Sequence, residues 1–224
     1  MHMKTLKFIL LLFLFVLSQL VLSQRIDPFL DKYSIYKSFH PEKATEYKDV
    51  EGTPYLNSEF FVGNFVLSDS SILEIPIRYN VYSDEMQYQV EGVNYIVGNP
   101  LAIEKVQIAE SVFKYIPFIN KGGYFELIES GKCSLVKKHV VKYKPAEGPK
   151  AMVGVAVPAE FIKEPAVFYI INNQSQVFKI KNKKSIIEAF QDQKQKIEDF
   201  IKTERINNIK KENLIKVVTY YNKL

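Results

Sequence analysis

From about Ser58 to Ile180, apolar and polar residues alternate with a period of two, interrupted by turn signals at the short intervals that join consecutive hairpins. A chain patterned this way folds as neighbouring antiparallel strands, each turning one face to a core and one to water. The clearest case is Ile77, Tyr79 and Val81 alternating with Arg78, Asn80 and Tyr82, followed by Met86, Tyr88 and Val90 alternating with Glu85, Gln87 and Gln89. Folding about Ser83-Asp84 pairs Val81 with Met86, Tyr79 with Tyr88 and Ile77 with Val90. A second fold at Glu91-Gly92 sets Val90 against Val93, Tyr88 against Tyr95 and Met86 against Val97, with glycine supplying the positive φ of a tight turn. A third at Ser130-Gly131 sets Glu129 against Lys132, Ile128 against Cys133 and Phe125 against Val136. A fourth joins Val167–Ile171 to Gln176–Ile180 through Asn172-Asn173-Gln174-Ser175. With Phe60–Leu67, Val106–Ile108 and Val112–Ile116 the expected total is about nine or ten strands, nearly all joined to sequence neighbours. A meander this long must curl or fold over itself.

At Asn182 the period becomes helical. Ser185 with Glu188 reads as a capping box before Ile186, Ile187 and Phe190. Asp192 is placed to cap a second helix with Ile197, Phe200 and Ile201 on one stripe, and a third near Lys211–Asn222 carries Leu214, Val217, Val218 and Tyr221. The expected fold class is therefore α+β: a long antiparallel β-meander forming a curled or folded-over sheet, followed by about three C-terminal amphipathic helices packed on it.

The organisation follows from these periods. Residues 1–23 read as a signal peptide, with Lys4 and Lys7 before the apolar run Phe8–Leu17 and Val21-Leu22-Ser23 at the cleavage point, so that the mature chain begins at Gln24. An uncleaved anchor is the competing reading, but Ser18 and Gln19 end the run short of the ~20 apolar residues a spanning helix needs. No cysteine near the cleavage point offers a site for a lipid. Residues 24–57 form an irregular lead-in, ordered near Pro54-Tyr55-Leu56-Asn57; residues 58–181 form the sheet and residues 182–224 the helices, with 24–224 as one structural domain. Residues 145–165, holding Pro145, Pro149, Pro158 and Pro165 beside Met152 and Phe161, read as a long functional or mobile loop.

Charge is unevenly spread. Residues 24–131 carry 9 basic and 16 acidic side chains, a net −7, whereas residues 132–224 carry 19 basic and 9 acidic, a net +10. The basic part suits anionic lipid, acidic glycan or nucleic acid, although lysines spread over solvated helix faces explain it as well. With three arginines in the chain, nucleic acid is disfavoured.

The chemistry-bearing residues are sparse. A lone cysteine, Cys133, permits no intrachain disulfide and no thiolate-pair metal site. His139 lies six residues from it, about 20 Å along one strand at about 3.3 Å per residue, too far for a nucleophile–base pair. His40, in the lead-in, is the other histidine beyond the leader. Their separation matches no metal-ligand spacing, and neither a metal nor a cofactor is expected. Asp84-Glu85 belongs to a turn and Glu198-Asp199 diverges on a helix, so neither reads as a glycosidase pair. The polar face of the first hairpin is the more suggestive surface: Arg78, Asn80, Gln87 and Gln89, with Tyr82 at its end, line a face suited to a glycan or peptide, and Met152 and Phe161 of the loop complete the candidate binding residues. The competing reading is a solvated face with Arg78 held by Glu91. The absence of tryptophan among 14 tyrosines and 16 phenylalanines weakens a sugar-stacking site.

Gly52-Thr53-Pro54-Tyr55-Leu56-Asn57-Ser58-Glu59-Phe60, then Ile75-Pro76-Ile77-Arg78-Tyr79-Asn80-Val81-Tyr82-Ser83-Asp84-Glu85-Met86, and the ending Leu214-Ile215-Lys216-Val217-Val218-Thr219-Tyr220-Tyr221-Asn222 resemble a group of small uncharacterised exported proteins of Bacteroidetes. The resemblance implies a periplasmic or outer-envelope location, extending to secretion, and no catalytic residue. The expected role is a non-enzymatic binding or structural module that meets an envelope component, whether protein, glycan or lipid; the alternative is a hydrolase acting on cell-envelope material.

Overall fold

The computed structural model describes residues 39, 42–119, 121–148 and 156–224; the expected signal peptide with its expected cleavage point, His40 and Met152 lie outside them. Among these described residues twelve strands form one sheet: β1 (Glu42–Lys43), β2 (Val50–Gly52), β3 (Phe61–Leu67), β4 (Ile72–Asn80), β5 (Glu85–Val90), β6 (Val93–Ile96), β7 (Ile103–Ile108), β8 (Ser111–Tyr115), β9 (Tyr124–Glu129), β10 (Ser134–Lys144), β11 (Ala159–Ile171) and β12 (Val177–Ile180). Their order is β1-β6-β5-β4-β3-β7-β8-β9-β10-β11-β12, with β2 added on β11 as the one parallel pair. Three helices follow: α1 (Lys183–Ala189), α2 (Lys194–Thr203) and α3 (Lys211–Asn222). Phe39–Leu224 is one structural unit. No helix among the described residues is long and apolar enough to cross a membrane.

The strand path is open, yet the sheet bends back on itself. From β4 to β10 there are five steps along the path, about 24 Å in a flat sheet at ~4.8 Å per strand. The Tyr79 ring on β4 nevertheless lies 5.4 Å from Phe113 on β8, 6.0 Å from Tyr124 on β9 and 6.5 Å from His139 on β10. The inner face so formed buries Phe65, Leu73, Ile77, Tyr79, Met86, Tyr88, Val106 and Phe113. Residues 50–56 span the remaining gap. β2 pairs with Ala159–Phe161 of β11, while the Leu56 N–H donates to the Tyr79 carbonyl at 3.0 Å and the Pro54 carbonyl accepts from Val81 and Tyr82 at 2.9 and 3.2 Å. Gly52 makes this crossing feasible, since at φ 72° a Cβ would run into the Phe161 carbonyl.

The lead-in therefore supplies β1 and β2, which is why twelve strands replace the expected nine or ten. The expected loop at 145–165 is also shorter, because β11 begins at Ala159 and carries Phe161 within a strand.

Register shows where local pattern governs and where distant contacts override it. The β5–β6 hairpin pairs Val90 with Val93 and Tyr88 with Tyr95 as expected, with Glu91 at φ 49° and Gly92 at φ 76° supplying the left-handed pair of a two-residue turn. The β4–β5 hairpin instead pairs Ile77 with Tyr88 and Tyr79 with Met86, two residues from the expected register. Val81 and Tyr82 give their N–H groups to Pro54, so the turn lengthens to Val81–Asp84; an even slip leaves each side chain on its face. Residues 130–133 likewise stay out of the β9–β10 ladder, which joins Leu135 to Glu129 and Val136 to Leu127. The Asn222 side chain of α3 takes the place of a strand there, accepting from the Cys133 N–H at 2.9 Å and donating to its carbonyl at 3.2 Å.

The helices cover one face of β10–β12. Ile186, Ile197, Ile201, Leu214, Val217, Val218 and Tyr221 are buried with Cys133, Leu135, Ile170 and Ile180, each large side chain contributing about 1.5–3 kcal/mol of transfer free energy. Phe200 stacks on Tyr220 at 4.1 Å, and Phe190 packs at a tilt against Tyr221 at 4.4 Å. The expected caps are corrected. Asn182, not the Ser185–Glu188 pair, closes α1, accepting from the Ser185 N–H at 3.0 Å while the Ser185 hydroxyl accepts from Asn182 N–H at 3.1 Å. Asp192 does not cap α2; it accepts from the Tyr221 hydroxyl at 2.8 Å.

Candidate functional site

The β10–β11 pairing sets Tyr143 opposite Phe161, and the lengthened turn after β4 carries Tyr82 onto them. The Tyr82 ring lies 5.0 Å from Phe161 and 6.1 Å from Tyr143, with Tyr143 and Phe161 5.5 Å apart. Tyr47, from the segment between β1 and β2, closes the group at 5.1 Å from Phe161, 6.1 Å from Tyr82 and 6.5 Å from Tyr55. Such tilted and edge-to-face rings add about 0.5–1.5 kcal/mol per pair beyond area burial. Phe161 is 4% exposed, but Tyr82 and Tyr143 keep 42% and 43% of their surface open. The cluster is thus anchored at its base and accessible at its rim.

Two of the residues expected from the sequence, Tyr82 and Phe161, meet in this cluster. The other polar candidates do not form an open ligand-lined face. Asn80 and Gln87 are 0% exposed. Arg78 is held by Gln87 and Ser58, not by Glu91: its Nε and Nη2 donate to Gln87 Oε1 at 3.2 and 2.8 Å, and Nη1 donates to the Ser58 carbonyl at 3.0 Å. Its guanidinium carbon sits 3.6 Å from the Tyr55 ring centre and 4.2 Å from that of Phe60, a cation sandwiched by aromatic faces. Burial lowers the Arg78 pKa and raises that of Tyr55, each opposed by the other's charge. Asn80 donates to the Tyr47 hydroxyl at 3.2 Å and accepts from Ser83 N–H at 3.2 Å, and Gln89 donates to Asn94 at 3.0 Å. The lead-in, which carries Tyr47 and Tyr55, covers the face that the alternation leaves polar.

Two polar clamps go unannounced by the sequence. Asp84 accepts from Lys138 at 2.6 Å, from the Tyr79 hydroxyl at 2.6 Å and from the Tyr124 N–H at 3.2 Å. Burial, reinforced by the Asp84 charge, pushes both Tyr79 and Tyr124 above the ordinary phenol range. Burial lowers Lys138, with Asp84 acting in the opposite sense. The second clamp centres on Glu126, which contacts His139 Nε2 at 2.6 Å and accepts from Lys137 at 3.0 Å and Ser111 at 3.3 Å. Burial alone would raise this carboxyl; the contacts with His139 and Lys137 outweigh it and hold the group at about 2.

Serine, histidine and glutamate thus converge, but in an order that does not activate a nucleophile. Acyl transfer needs the hydroxyl on the imidazole, whereas the Ser111 hydroxyl donates to the carboxylate. Cavities of about 80 Å³ beside Ser111 and about 60 Å³ beside His139 flank Leu56, which lines both; sites for ligands of drug size run to ~300–1,000 Å³. Cys133 is buried, and burial pushes its thiol up to about 12, far from thiolate chemistry at neutral pH. Among the described residues no group of three or more His, Cys, Asp or Glu is placed to hold a metal ion.

No family model, curated protein or solved structure matches this chain.

Proposed function

We propose that this chain is an exported, non-enzymatic binding module of the cell envelope that engages its partner through the aromatic rim of Tyr82 and Tyr143. One observation carries the reading: two tyrosines keep more than two-fifths of their surface open while packed on a buried Phe161. Tyrosines immobilised in this way contact a partner with little rotamer entropy left to lose, the property that enriches them at interface hot spots. The basic balance of residues 132–224 and the resemblance to exported Bacteroidetes proteins agree with an envelope component as the partner. The C-terminal helices, read as amphipathic from the spacing of their apolar residues, serve this role as a brace for the sheet. The hydrolase alternative gains nothing from the Ser111–Glu126–His139 order.

The test is photo-crosslinking in cells with benzoylphenylalanine at position 143, followed by identification of the captured species, in the parent chain and in Tyr82→Ser. The reading requires a discrete adduct that falls at least fivefold with Tyr82→Ser while the far-ultraviolet circular dichroism is unchanged. An adduct insensitive to Tyr82→Ser, or release of soluble fragments from purified envelope by the parent chain, would overturn it.

A further inference from the structure

We infer that the cleft between the β11–β12 turn and the end of α1 is a second binding site, for a neutral saccharide. The cleft has a volume of about 610 Å³ and is walled by Asn173, Gln174, Gln176, Glu188 and Gln191, with half-buried Phe178 as an apolar wall. Its size falls within the ~300–1,000 Å³ typical of small-molecule sites.

The backbone of the turn is held from within. Asn172 Oδ1 accepts from the N–H groups of Gln174 and Gln176 at 3.0 and 2.9 Å, and its Nδ2 donates to Gln176 Oε1 at 3.1 Å. Among the described residues the side-chain amides of Asn173 and Gln174 make no hydrogen bond, and each offers both a donor and an acceptor. On the facing wall Glu188 meets Lys184 only at 3.8 Å, and Asp192, which also lines the cleft, takes the Tyr221 hydroxyl through Oδ2 and has a second carboxylate oxygen able to accept.

This chemistry selects its ligand class. No lysine or arginine lines the cleft, which disfavours phosphate, sulfate and uronic acids despite the basic surroundings. Sugar hydroxyls donate and accept at once, matching amides that do the same, and their donors suit two carboxylates. The non-polar C–H face of a pyranose requires an apolar wall, which Phe178 provides without tryptophan. The site is built from elements other than those of the aromatic rim and stands independently of it.

The experiment is a titration of the isotope-labelled full chain, observed through its side-chain NH₂ resonances, with maltotriose, chitotriose and, as a cation, spermidine. One of the two sugars should move the Asn173, Gln174, Gln176 and Gln191 signals with a dissociation constant of about 1 mM, the weak end of specific binding. Gln174→Ala/Gln191→Ala, both at exposed positions, should weaken that binding at least tenfold with an unchanged melting temperature. Tyr82→Ser/Tyr143→Ser should leave it unchanged, so loss of the rim and loss of the cleft are separable. The inference is overturned if spermidine moves these signals at lower concentration than either sugar, if sugar shifts persist in the cleft variant, or if neither sugar moves them up to 50-fold above about 1 mM.

Discussion

Two regions of this sheet are stabilised by different physics. Where α1–α3 cover β10–β12, the contacts are apolar and plastic: Leu214, Val217 and Ile201 meet Leu135 and Ile170, and any well-filled set of aliphatic side chains of similar volume would serve. Where β4 meets β9 and β10, the contacts are directional: one carboxylate, Asp84, gathers a lysine, a phenol and a backbone amide from residues 5 to 54 positions away. Hydrophobic burial sets how stable the helical end is; the polar clamps set where the bent sheet meets itself. Satisfied polar groups in a low-dielectric interior tolerate little displacement, which is why such a seam has a single register.

That contrast can be broken in order of expected effect. Leu214→Ala, at the fully buried centre of the helical face, should cost about 2–5 kcal/mol in urea unfolding with an unchanged denaturant slope. A cost under about 1 kcal/mol would mean that the helices contribute little. Asp84→Asn leaves Lys138 charged and half-buried, and should cost about 1–3 kcal/mol given the remaining solvent access of both groups. Lys138→Met added to it should recover part of that loss; additive costs in the double-mutant cycle would show that the pair is not coupled.

A loss of similar size concerns acid. Glu126 titrates at about 2 in the fold against a reference of 4.5, so the folded state holds its proton less tightly than the unfolded chain. Its stabilisation is fully present above pH ~4.5 and is lost as pH falls through ~2, by roughly 1–3 kcal/mol. Glu126→Gln should flatten that part of the stability–pH curve between pH 2 and 4.5; an equally steep acid limb in the variant would place the dependence elsewhere.

Much of the architecture was legible because it rests on nearest neighbours. The β5–β6 register followed from Glu91-Gly92 and the flanking alternation, and α3 from the spacing of Leu214, Val217, Val218 and Tyr221. The β4–β5 register was not, because the Pro54 carbonyl, more than twenty-five residues upstream, claims the Val81 N–H. Of the candidate site, Tyr82 and Phe161 were readable, but Tyr143 sat inside a regular strand and Tyr47 in a segment without periodicity. Asp84 read as a solvated turn acid, since nothing near it in sequence foretells Lys138 or the Tyr124 amide.

Local pattern alone lays out the alphabet of elements: a strand meander with its inward and outward faces, followed by helices after Asn182. Periodicity encodes these because side-chain direction along a strand or helix is a local geometric property. Contacts between distant residues are what make the lead-in cross from β11 to β4, put Asn222 in place of a strand beside Cys133, and sheathe the polar face of the first hairpin while an aromatic rim stays open. Those outcomes depend on the hydrogen-bonding needs of backbone groups brought together from far apart, and a buried N–H takes whichever carbonyl reaches it, regardless of distance along the chain.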